Sequence, residues 1–116
     1  MRTVRTILSV KGRTPESMEI GNSVSIEPDS TAMMPFIIEK TDVRKISVGH
    51  YYTRAGDVMS DPEIIFELDE QKWAPVRFTQ DPNIEREDPA GLELGGFLAT
   101  WDRNLRRQGY VDVIRE

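Results

Sequence analysis

The only histidine, His50, lies seven residues before Asp57, and Asp61 and Glu63 follow within the next six. Histidine ordinarily titrates near neutrality, as a general base must. Asp57, Asp61 and Glu63 carry hard oxygen ligands of the kind that hold divalent cations. Asp57, Asp61 and His50 together would supply the ligands and base of a metal-dependent hydrolase. The spacing lacks the alternating ligands and central glycine of a calcium loop. Turn formation accounts for Asp57 and Asp61 without any ligand, and a histidine among apolar neighbours is commonly a hydrogen-bonded structural residue.

A second group is suited to binding rather than chemistry. Tyr51, Trp73 and Arg77 are of the types enriched at protein–protein hot spots, and with Ile65 they are expected on one sheet face. Glu85, Glu87 and Asp88 lie in an expected acidic loop, 81–89, that would meet a basic surface. Arg103, Arg106 and Arg107 close the last helical segment. Their charge complements the negative end of a helix dipole, with phosphate contact as the alternative. No serine–histidine–aspartate order, nucleophile elbow, phosphate loop or dinucleotide fingerprint is present.

Hydrophobic periodicity predicts the elements that position these residues. Val4, Ile7, Leu8 and Lys11 recur at helical spacing over Thr3 to Lys11, and Gly12 supplies a stop. The period then changes to two. Strands are expected at Ser23 to Glu27, Pro35 to Lys40, Lys45 to Thr53, Pro62 to Leu68 and Trp73 to Thr79, with breaks at 28–30 and turns at Gly56-Asp57 and 69–72. The Phe36-Ile37-Ile38 run predicts burial on both faces. Short connections imply an antiparallel meander. Asp88-Pro89 offers a cap and first turn for a final helix bearing Leu94, Phe97, Leu98, Trp101 and Leu105 on one face, ended by Gly109. The expected fold is α+β: an N-terminal helix, a five-stranded antiparallel meander sheet, and a C-terminal helix packed on it, as one domain over 1–116.

Register refines this. Pairing Ile46, Val48 and His50 with Leu68, Phe66 and Ile64 keeps one face apolar, and a one-residue slip would put Asp69 and Glu67 there. Ala74, Val76 and Phe78 would then meet Leu68, Phe66 and Ile64. The other face receives Gly49, Tyr51, Glu63, Ile65, Glu67, Trp73, Pro75 and Arg77. Glu63 and His50 therefore point to opposite sides.

The 116 residues carry a net charge of −5, and cysteine is absent, which excludes disulfides and thiolate chemistry. Residues 57–93 hold eleven acidic and three basic side chains. Such a field disfavours direct nucleic-acid binding and favours a basic protein, a cation, or simple solubility. No apolar run is long enough to span a bilayer, and a cytoplasmic location without membrane contact is expected.

Ile46-Ser47-Val48-Gly49-His50-Tyr51-Tyr52, followed by Gly56-Asp57, Met59 and Asp61-Pro62-Glu63, resembles a family of small bacterial domains of unknown function. Met34-Pro35, Thr79-Gln80-Asp81, Trp101-Asp102-Arg103-Asn104-Leu105 and Gln108-Gly109 fit the same pattern, while 81–93 departs from it. The resemblance implies a setting on plasmids, conjugative elements or phages, and brings no activity or cofactor. The expected function is that of a non-enzymatic accessory protein. It would bind a host or partner macromolecule, such as a basic nucleic-acid-handling protein, through its acidic surface. The alternative is the hydrolase of Asp57, Asp61 and His50.

Overall fold

Helix α1 (Arg2–Val10) forms where Val4, Ile7 and Leu8 fall on one side, and all three are buried together with Thr3. The computed structural model describes residues 2–27, 34–68, 73–81, 84–108 and 110. The predicted break at 28–30, the turn at 69–72 and the helix stop at Gly109 lie outside them. The strands are β1 (Ser23–Ile26), β2 (Phe36–Asp42), β3 (Lys45–Arg54), β4 (Asp57–Leu68), β5 (Trp73–Gln80) and β6 (Ile84–Glu87), followed by helix α2 (Gly95–Arg107). They form one antiparallel sheet in chain order. No helix among the described residues is long and apolar enough to cross a membrane.

The meander and the two terminal helices are as expected, but the sheet has six strands rather than five. The additional strand, β6, comes from the stretch expected to be an acidic loop. It pairs Arg77 with Glu87 and Thr79 with Glu85. Asp88 does not open α2. Its Oδ1 accepts the Ala90 N–H at 2.9 Å, its own N–H donates to Val76 O, and Leu92 N–H donates to Pro75 O. The chain therefore continues along β5, turns at Gly91 (φ 111°), and starts the helix at Gly95.

Both helices cover the same side of the sheet. Val4, Ile7 and Leu8 of α1 and Trp101 and Leu105 of α2 share one core with Ile26, Phe36, Ile38, Ile46, Val48, Ile64 and Phe66. Ile37 is only half-buried, because neither described helix covers the other sheet face. The buried Lys40 Nζ donates to Pro15 O at 2.6 Å and fastens the segment after α1 to the second strand.

Two registers differ from expectation. Ile46 pairs with Phe66 and Val48 with Ile64, a two-residue shift. A shift of two preserves every face, since side chains alternate with period two. The second difference does change a face. Phe78 pairs with Ile64 as expected, but a bulge beside Val76 then sets Pro75 against Phe66 and Trp73 against Leu68. Trp73 thus turns into the core.

Candidate functional site

Directly paired residues of a sheet share a face, so the register assigns the uncovered side. One row across all six strands is Ser23, Glu39, Ser47, Ile65, Arg77 and Glu87. The next is Ser25, Ile37, Gly49, Glu63, Thr79 and Glu85, and the Lys45–Glu67 pair flanks the first. Glu39, Asp42, Glu63, Glu67, Glu85 and Glu87 outnumber the cations Lys45 and Arg77. Arg77 Nη2 donates to Glu85 Oε1 at 2.7 Å. That exposed pair holds position more than it stabilises.

Tyr51 lies across the middle of this face. A Cβ on Gly49 would stand 2.9 Å from the Tyr51 Oη, so the glycine makes room for the ring. The hydroxyl donates to Glu63 Oε2 at 2.8 Å. Burial, reinforced by the Glu63 carboxylate, pushes the phenol well above its ordinary value.

Of the residues expected to form a binding surface, Tyr51, Arg77, Glu85 and Glu87 share this face. Asp88 lies in the exposed turn beyond β6. Trp73 is the correction. It packs on Phe66 with ring centroids 5.5 Å apart, and the Arg5 guanidinium of α1 sits 4.7 Å above its ring. The first helix covers it, so it anchors no open face.

The second site is a cleft of about 300 Å³ between the sheet end and α2, and it gathers His50 and Asp61. A bulge creates it. Gly49 pairs with Glu63 and Tyr51 with Ser60, so Asp61 and Pro62 together oppose His50. Two residues against one bend the strand and re-aim side chains. Asp61 therefore reaches the helix side, while Glu63 keeps to the open face. Gln80 Nε2 donates to Asp61 Oδ1 at 2.8 Å. Phe97, Trp101, Asn104 and Gln108 line the helical wall and Tyr110 lines the cleft beside them. Tyr110 Oη donates to Met34 O at 2.6 Å and lies 3.4 Å from His50 Nδ1. Burial holds the His50 pKa below its ordinary value, although the Met34 carbonyl and Asp61 pull it upward.

Asp57 is not part of this assembly. It pairs with Arg54 at the hairpin turn, four residues from Asp61, which is roughly 13 Å along a strand. Among the described residues no three His, Asp or Glu side chains gather as a cation site. A signal for the cleft was present in the sequence. Asn104 and Gln108 continue the Phe97–Trp101 stripe at spacings of three and four, so one helix face passes from apolar to polar.

A family model described as a domain of unknown function, DUF6908, matches residues 2–111. No curated protein and no solved structure matches the chain.

Proposed function

The chain belongs to the DUF6908 family, and we propose that it is a non-enzymatic binding module whose open sheet face docks a Lys/Arg-rich protein segment. The observation that supports this is the side of the sheet that neither described helix covers, where six carboxylates and two cations share the face with Tyr51. Acidic charge of this density draws a basic partner and speeds encounter. Tyr51, Ile37 and Ile65 offer apolar area on which the partner settles. The resemblance to domains of mobile elements and phages supports the setting: an accessory protein acting on a nucleic-acid-handling protein of the host, inside the cell.

The test is an NMR titration of the full chain with a Lys/Arg-rich peptide. Amide shifts should concentrate at Ile37, Gly49, Glu63 and Ile65. They should weaken with added salt and in a Glu39→Lys/Glu67→Lys variant. Shifts spread evenly over all acidic segments, or unchanged by the charge reversal, would refute the proposal.

Metal-dependent hydrolysis is the second reading, supported by the meeting of His50 and Asp61 in the cleft. The distance of Asp57 counts against it. A stoichiometric magnesium, manganese or zinc site abolished by Asp61→Asn would promote it.

A further inference from the structure

The cleft beside α2 brings together three features that each attract a cation. Among the described residues that line the cleft, Asp61 carries the one formal charge when His50 is neutral, and Gln80 orients it through Oδ1. Phe97 and Trp101 stand 6.1 Å apart by ring centroids and are inclined by 40°. Both line the cleft, and aromatic rings are surfaces on which cationic groups settle. Asn104 and Gln108 lie at the carbonyl end of α2, where the helix dipole is negative, and their side-chain oxygens accept hydrogen bonds. Arg103, Arg106 and Arg107 do not line the cleft, and Arg106 reaches toward Thr6 of α1.

We propose that this cleft is a binding site for a guanidinium group carried on a ligand about the size of an arginine side chain. A guanidinium is planar and holds five donors in a fixed fork, which suits stacking on an aromatic wall while donating to a carboxylate and to amide oxygens. An ammonium is a compact, strongly hydrated charge that uses the flat wall less well. The site lies on the helix side of the sheet and is independent of the acidic open face. The ligand is either a free guanidino compound or an arginine of a protein chain, and the chemistry of recognition is the same.

The experiment is calorimetric titration of the full chain with agmatine and, separately, with N-acetylarginine amide. Saturable one-to-one binding of at least one is expected, with shifts of the Asn104 and Gln108 side-chain amides in parallel NMR spectra. Stronger binding of agmatine identifies a small molecule, and stronger binding of the capped arginine identifies a protein side chain. Asp61→Asn should weaken binding at least about tenfold, the order expected for losing a charge-assisted hydrogen bond. If Asp61→Asn fails to fold, Asn104→Ala decides the question with the same direction of change. Glu85→Gln, on the open face, should leave the affinity as it was, so the two proposals stand or fall separately. Absence of saturation with both probes, equal affinity in Asp61→Asn, or preferential binding of inorganic phosphate would overturn the assignment.

Discussion

Tyr110 has a single hydroxyl proton, and Met34 O at 2.6 Å receives it. His50 Nδ1 therefore faces an oxygen lone pair at 3.4 Å and is assigned the imidazole proton, which leaves Nε2 as the basic nitrogen. Burial opposes a second proton. The folded-state pKa is thus depressed, and its share of stability is complete above the ordinary value of 6.5. That share is lost as pH falls from there toward the folded value, because only the unfolded chain gains the proton. As the sole histidine, His50 can be followed directly by proton NMR, and its midpoint should fall below 6.5. A midpoint above that value would contradict the burial argument. Gly49 supports a second prediction at this scale. A methyl group there would stand 3.0 Å from Pro62 O as well as against Tyr51, and backbone does not swing aside. Gly49→Ala should destabilise by about 1–3 kcal/mol in urea denaturation, the usual range for overpacking.

Elements decide which of these residues can act together. Trp101 holds α2 to the sheet through Phe36 and His50, with ring centroids at 6.0 and 5.8 Å. Trp101→Ala should cost about 3–5 kcal/mol, the range for deleting a buried aromatic. Trp73→Ala should cost a comparable amount, about 3 kcal/mol or more, since its ring is buried under α1. A loss below about 1 kcal/mol for Trp73 in a thermal or urea melt would return it to the surface. Strand periods, the turn at Gly56 and the apolar stripe of α2 were legible in the sequence, because each follows a local rule. The bulges at Val76 and at Asp61-Pro62 were not. A bulge is one unpaired residue whose position depends on both strands, and no period announces it. Yet one bulge moved Trp73 to the core and the other moved Asp61 to His50. The open face was half legible for the same reason: Tyr51 and Arg77 alternate with core residues along their strands, while Trp73 lies beyond the slip and Glu85 and Glu87 were expected in a loop. Strand β6 was not legible because Ile84-Glu85-Arg86-Glu87 is exposed along its whole length and has one apolar residue, too few for an alternation. Such charge is normal on an exposed edge, where it discourages pairing with another chain.

At the scale of the whole molecule, the first and last helices pack on one another. Consecutive strands pair only with their neighbours, so the sheet by itself is a series of local hairpins. The helices supply the long-range link. Thr3 stands in the first turn of α1, where backbone N–H groups have no partner within the helix. Its N–H donates to Asp102 Oδ1 at 2.8 Å, and its Oγ1 donates to Asp102 O at 2.9 Å. A residue 99 positions away in sequence thus caps the first helix, and its carboxylate also meets the positive end of the α1 dipole. Asp102→Ala should therefore destabilise the domain by about 1–2 kcal/mol, the value of a lost cap. Asp102→Asn keeps an acceptor and removes the charge, so it should recover most of that loss and show less dependence on salt. Hydrogen exchange separates this account from a general weakening. In Asp102→Ala the amides of α1 should lose protection before those of β3 and β4, since the capped helix opens first. Uniform loss of protection across the sheet, or equal destabilisation by Asn and Ala, would show that Asp102 acts through α2 alone.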